Sequence, residues 1–234
     1  MKILGLNKTT LLDYPGRVAC TIFLGGCNFR CPFCHNKDIV LMSDAIDAYS
    51  QDEIFAFLRK RKEILTGVCI TGGEPTINND LPGFIADIKQ LGYKIKLDTN
   101  GSSPAMLASL IDNKLIDCCA MDIKNAPEKY DTTVSFPALT DVKKSVELLL
   151  SQSCEEENGF SYEFRTTLVK ELHDEADLLS ICKWIAGANA YYLQPYVESP
   201  GVFQKEFHAH DMEALSHFEH LCQTYIPNTH LRGI

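Results

Sequence analysis

Three cysteines, Cys27, Cys31 and Cys34, stand on one short stretch that reads CNFRCPFC and follows Gly25 and Gly26. Thiolates are soft ligands that suit an iron–sulfur cluster or zinc, and three of them on one tight loop can converge on a single metal centre. The number three carries information. A 4Fe-4S cluster held by three cysteines leaves one iron open, and an open position is where a substrate binds, as at a catalytic zinc. Two other readings compete: three small buried hydrophobes, or a Cys3His zinc site completed by His35. A zinc ribbon would need a second C-x2-C pair, and the sequence has none. Cys20, Cys69, Cys118, Cys119, Cys154, Cys182 and Cys222 are scattered and read as core residues.

Further polar residues recur where apolar runs end. Thr71-Gly72-Gly73-Glu74-Pro75 follows one such run. Two glycines allow close backbone approach to a ligand, and carbonyls with a carboxylate are acceptors suited to an ammonium group. Lys96-Leu97-Asp98-Thr99-Asn100-Gly101 ends another run, and its Asn-Gly pair is also an ordinary turn signal. Met121-Asp122-Ile123-Lys124 ends a third. Arg165 sits inside an apolar run at 162–169, where an arginine needs a partner. Gln194-Pro195-Tyr196 closes the last run.

The elements that must position these residues alternate. Strands are predicted over 17–24, 68–71, 94–99, 116–123, 162–169 and 190–193. Helical patterns fall at 52–65, 81–91, 104–114, 142–150, 174–187 and 211–225, with Ser103 as N-cap ahead of Pro104 and Asp174 as a second cap. Residues 125–137 and 155–159 read as surface loops. Alternation of this kind predicts βα units on a parallel sheet. Crossovers of one hand would curl six units into a partial barrel and gather ligands at the carboxyl ends of the strands. The 234 residues, 45% hydrophobic and 23% charged, suit one α/β domain spanning 1–234. A net charge of −9 speaks against a basic nucleic-acid footprint. No apolar stretch approaches membrane-spanning length, and the N-terminus lacks a signal-peptide apolar region. We therefore expect a cytoplasmic protein without nucleic-acid or membrane partners. Clustered cysteines in a reducing compartment point to metal or catalysis.

At the cysteine loop the sequence resembles the radical S-adenosylmethionine (SAM) superfamily, whose motif is C-x3-C-x-Φ-C with an aromatic before the last cysteine, here Phe33. The resemblance implies a partial (β/α)6 TIM-type barrel carrying a 4Fe-4S cluster on Cys27, Cys31 and Cys34. In that family SAM chelates the open iron, and one-electron cleavage yields methionine and a 5′-deoxyadenosyl radical. Gly72, Gly73 and Glu74 match the motif that receives the SAM amino group. Asp98, Thr99 and Asn100 match polar positions near the methionine and ribose. Asp98, Thr99 and Asp122 match positions that hold a monovalent cation near the SAM carboxylate. Arg165 would pair with that carboxylate or the ribose, with a structural salt bridge as the alternative, and Gln194 lies where adenine contacts fall. The segments LLDYPGR at 11–17, FLGGC at 23–27 and CHN at 34–36 resemble the glycyl-radical enzyme activating branch, in particular activating proteins of anaerobic ribonucleoside-triphosphate reductase. This implies a glycyl-radical enzyme as partner, anaerobic ribonucleotide reductase the expected one, and a flavodoxin or ferredoxin as electron donor. His35 and Asn36 would face the partner loop or order the turn. The alternatives are a radical SAM enzyme acting on a small molecule, such as the 7-deazaguanine-forming branch, and a zinc-binding module without enzymatic activity.

Overall fold

A computed structural model describes residues 1–152, 159–199 and 201–233. Cys154 and most of the 155–159 turn therefore lie outside the described residues. Among the described residues eight strands form one sheet in sequence order: β1 (Ile3–Thr10), β2 (Ala19–Leu24), β3 (Gly67–Gly72), β4 (Lys94–Thr99), β5 (Cys118–Asp122), β6 (Ser161–Leu168), β7 (Tyr191–Pro195) and β8 (Thr229–Leu231). β1 runs antiparallel to β2, and every later pair is parallel. Parallel neighbours need long crossovers, and helices supply them. These are α1 (Lys37–Val40) and α2 (Gln51–Arg61) after β2, α3 (Leu81–Gln90) after β3 and α4 (Pro104–Asp112) after β4. Then come α5 (Tyr130–Val134), α6 (Leu139–Leu150), α7 (Glu175–Trp184) and α8 (Met212–Gln223).

The six predicted strands are β2 to β7. The sheet is longer because β1 adds an antiparallel edge and β8 follows β7. The predicted loop at 125–137 is corrected: it holds a 3-10 turn, Pro127–Lys129, and the short helix α5, whose Tyr130 and Val134 are fully buried. Those residues are four apart and meet the core from one helical face. Ser103 does precede Pro104 at the start of α4, but its side chain makes no capping hydrogen bond. Asp174 caps α7 as expected, accepting from the Asp177 N–H at 2.9 Å.

Strand side chains alternate between two faces. Cys20, Ile22, Val68, Ile70, Ile95, Leu97, Cys119 and Met121 belong to the apolar core, together with Ile54, Leu58, Phe84, Ile85, Leu107 and Leu110 of the covering helices. The intervening residues include Cys69, Lys96, Asp98, Asp122, Glu163 and Arg165. The register sets Cys69 beside Lys96 and Asp122 beside Arg165. The inner face of the sheet is thus charged where the outer one is apolar. Low on this face Arg232 holds Glu163 through both oxygens, at 2.6 and 2.9 Å, and lies over the Tyr192 ring.

Candidate active site

The loop after β2 is folded back by its own backbone. Gly25 N–H donates to the Lys2 carbonyl and Gly26 N–H to that of Ile39. Gly26 has φ +87°, a left-handed conformation that glycine adopts without strain. The turn from Cys31 to Cys34 is closed by a 3.1 Å hydrogen bond between them, and the Phe29 N–H points at Cys27 Sγ from 3.3 Å. Burial pushes the Cys27 thiol up to about 12, with the Glu74 charge adding to it. Burial likewise raises Cys31 to about 11, against the pull of the Lys124 ammonium.

Next to this loop β3 ends in the Gly-Gly turn. Gly72 has φ +120°, and a β-carbon on Gly73 would stand 1.9 Å from the Gly26 carbonyl oxygen. The two loops are fastened by Glu74 N–H to the Gly26 carbonyl and Gly73 N–H to that of Leu24, each 2.8 Å. Asn36 adds a third tie, donating from Nδ2 to the Gly72 carbonyl at 3.0 Å. The contacts of His35 are with chain segments too: its ring stacks on Tyr196, and Nε2 reaches the Val197 carbonyl. Asn36 thus ties the cysteine loop to the β3 turn and His35 ties it to residues 196–197, and both residues also line the cavity between the loops.

A cavity of about 170 Å³ opens between these loops and the ends of β4 and β5. Cys27, Cys31, Phe33, Cys34, Gly72, Gly73, Glu74, Asp98, Thr99, Asn100 and Asp122 all line it. Arg165 and Gln194, two of the expected site residues, do not. Gln194 is half-buried near the end of β7. Thr71 and Lys124, from two of the quoted segments, line the cavity as well, and so do Phe29, Val40 and Thr167, which were not singled out in the sequence. Thr167 follows Arg165 by two, so strand periodicity places it on the same inner face. Lys124 was legible only as the last residue of the Met121-Asp122-Ile123-Lys124 segment.

Glu74 lines the cavity and is already engaged by the chain itself. It is fully buried and accepts four hydrogen bonds from the chain itself. Oε1 receives Thr76 N–H (3.0 Å), Thr76 Oγ1 (2.6 Å) and Thr99 Oγ1 (2.7 Å), while Oε2 receives Asn100 N–H (2.6 Å). Burial raises its pKa, and these donors pull the other way. The carboxylate is a strut between the ends of β3 and β4. Asn100 is held in turn: Nδ2 donates to Asn28 Oδ1 at 3.0 Å and lies 3.8 Å from Cys27 Sγ.

Beneath the cavity runs a chain of charges. Arg165 donates from Nε to Asp122 Oδ1 (2.9 Å) and from Nη1 to Asp98 Oδ2 (3.1 Å). Asp122 Oδ2 accepts from Lys124 Nζ at 2.9 Å, and Asp98 Oδ1 accepts from Lys96 Nζ. Burial alone would raise Asp122, but Arg165 and then Lys124 outweigh it and hold the carboxyl at about 2. Arg165 thus bridges the two carboxylates through Nε and Nη1, the salt bridge named as the alternative for it.

The radical SAM superfamily profile matches residues 21–175, from β2 into α7. This chain belongs to the radical SAM superfamily. It is 32% identical, over 98% of its length and 95% of the relative's, to a protein of Methanocaldococcus jannaschii provisionally named a glycyl-radical enzyme activating enzyme. Its fold is like that of Streptococcus suis SuiB (TM-score 0.69, 16% identity), covering 91% of this chain and 48% of that one. It is also like a domain of pyruvate-formate lyase-activating enzyme from Bacteroides vulgatus (TM-score 0.57, 17% identity), covering 71% and 99%. Membership implies a 4Fe-4S cluster and SAM, and the cysteine loop has the chemistry the cluster needs. Three free thiols surround one cavity, with an N–H already aimed at the Cys27 sulfur, and hydrogen bonds to ligand sulfurs are what such clusters use. Among the described residues no helix is long and apolar enough to cross a membrane.

Proposed function

We propose that this chain is a radical SAM activase that installs a glycyl radical on anaerobic ribonucleoside-triphosphate reductase. The observation that carries the radical SAM part is the single cavity shared by Cys27, Cys31 and Cys34 with the Gly72-Gly73 turn and the Asp98-Thr99-Asn100 end of β4. The activase part rests on near full-length similarity to a relative named for that role, and the reductase as target rests on the LLDYPGR and CHN segments. Cys27, Cys31 and Cys34 would hold the cluster. When bound, cluster and SAM together supply one-electron reductive cleavage of a carbon–sulfur bond. The chain's own residues do the positioning. The Gly72 and Gly73 carbonyls are the acceptors at the Gly-Gly turn, held in place by Asn36 and by the two backbone ties to the cysteine loop. Glu74 fixes Thr99 and Asn100, so the two strand ends that line the cavity move as one body. Phe33, 3% exposed, packs its ring edge-on toward His173 and shields the loop from water. A reduced flavodoxin or ferredoxin would deliver the electron, and the reading sets the protein in a reducing cytoplasm.

The test is anaerobic. The cluster-reconstituted protein is mixed with purified reductase, SAM and reduced flavodoxin. A glycyl-radical doublet in the electron paramagnetic resonance (EPR) spectrum, matched by 5′-deoxyadenosine and absent with Cys27→Ala, Cys31→Ala or Cys34→Ala, is the expected result. Deoxyadenosine without a radical on the reductase would overturn the target and leave the superfamily chemistry standing. Stoichiometric zinc without iron uptake would overturn both.

A further inference from the structure

Asp98 and Asp122 stand where the resemblance leads one to expect a monovalent cation, with Thr99 as a further ligand. Their surroundings do not fit one. Each of the four carboxylate oxygens already faces a nitrogen cation of the chain. Lys96 Nζ holds Asp98 Oδ1, Arg165 Nη1 holds Asp98 Oδ2, Arg165 Nε holds Asp122 Oδ1 and Lys124 Nζ holds Asp122 Oδ2. The Thr99 hydroxyl is also engaged, donating to Glu74 and accepting from the Gly101 N–H at 3.1 Å. Lys96 is the telling residue. Its side chain is 1% exposed, on the inner face of β4, two residues before the aspartate it pairs with. A lysine is buried this deeply only when it is paired.

We propose that Lys96, Arg165 and Lys124 are the countercharge of this cradle, and that no monovalent cation binds between Asp98 and Asp122. The charge count agrees. Within the cradle itself three cations face two carboxylates, with Glu163 beyond Arg165 and the Cys31 and Cys34 sulfurs beside Lys124 as the nearest further acidic groups, so every carboxylate charge is met by a cation of the chain before any alkali ion arrives. A countercharge carried on the chain cannot be diluted away, so ligand binding at this site is independent of the alkali ion in the buffer. Lys96 is then a positioning residue, acting through Asp98. The inference depends on the cradle alone and stands whichever partner the protein acts on.

The experiment compares potassium chloride with tetramethylammonium chloride at equal ionic strength on the cluster-reconstituted full chain. It reads thermal melting, SAM affinity by equilibrium dialysis, and binding of thallium(I), a potassium mimic, by thallium nuclear magnetic resonance. For the wild-type protein we expect the same melting temperature and SAM Kd in both salts, and no bound thallium. Lys96→Met bares Asp98 Oδ1 and removes one positive charge. Its SAM Kd should weaken when potassium is withdrawn, by a factor on the order of ten as for ordinary couplings between ligands, and it should bind thallium. Lys124→Met, which bares Asp122 Oδ2, is the second variant should Lys96→Met not fold. Thallium bound by the wild-type protein, or a wild-type SAM Kd that depends on potassium, would overturn the proposal. A folded Lys96→Met that remains indifferent to potassium and thallium would overturn the part assigned to Lys96.

Discussion

Replacing Gly73 by alanine adds one methyl group at the point where the cysteine loop and the β3 turn touch. The added β-carbon would lie 1.9 Å from the Gly26 carbonyl oxygen, 2.6 Å from its carbon and 3.3 Å from Cys27 Cβ. Real contacts of this kind essentially never fall below 3.0 Å, so the loops must part by more than an ångström. The obstacle is backbone, which no rotamer change can move aside. Parting also stretches the 2.8 Å hydrogen bonds from Gly73 to Leu24 and from Glu74 to Gly26. Overpacking of this kind costs typically 1–3 kcal/mol, and a backbone obstacle puts this case at about 3 kcal/mol. For a chain of this size that lowers the melting temperature by roughly 6–12 °C. Gly83→Ala is the matched control, since a β-carbon there meets nothing within 4 Å and the residue lies within α3. It should gain about 0.5–1 kcal/mol from the better helix former. Calorimetry of both variants and SAM dialysis on the reconstituted proteins make the comparison. Gly73→Ala should melt early and lose SAM affinity, while Gly83→Ala melts at or above wild type with SAM affinity unchanged. A Gly73→Ala protein that melts with the wild type and binds SAM equally well would refute the close-approach argument.

Three further outcomes are expected. Arg165→Met leaves Asp98 and Asp122 without their shared partner and should cost about 3–5 kcal/mol in denaturant unfolding, with Arg165→Lys losing less because one charge survives without the two-pronged geometry; a loss below about 1 kcal/mol, the level of an exposed pair, would show the bridge to be idle. Asp122 has a folded pKa of about 2 against an ordinary 3.8. Its depressed value stabilises the fold above 3.8, and that contribution, about 2 kcal/mol, disappears as the pH falls through 2. Between pH 4 and pH 2, roughly, the cluster-free protein should therefore lose more stability than Asp122→Asn, and equal losses would contradict the assignment. Cys118→Ala removes a thiol that packs with Tyr14 and Ala19 in a small cluster apart from the cavity lining. Its iron content and SAM cleavage should match wild type, and a protein without iron would place Cys118 among the ligands.

Much of this molecule is legible in local sequence. The apolar runs that become β2 to β7 carry their own β-branched and alternating pattern, and short-range physics decides them. The same is true of the cysteine spacing, because ligands three and four residues apart must share a loop wherever that loop sits. The edge strand β1 is less legible: ILGLNKTT mixes apolar and polar residues, and its pairing with β2 includes register shifts. α5 is only five residues long, shorter than a helix that forms on its own, and its burial is what sustains it.

The roles inside the cavity are another matter. From sequence, Glu74 is an acidic residue after two glycines and suits an ammonium group; only the approach of β4 brings Thr99 and Asn100 to its oxygens and makes it a strut. Arg165 is 67 residues from Asp98 and 43 from Asp122, and strand register alone sets the three side by side. Lys96 reads as one more charge in a polar strand end until the sheet closes over it. Sequence by itself determined the cysteine loop and the strands β2 to β7 whose ends carry the polar segments, since both follow from local pattern. Tertiary structure decided which charge meets which, because a buried charge is settled by the partner that folding delivers to it and not by its neighbours along the chain.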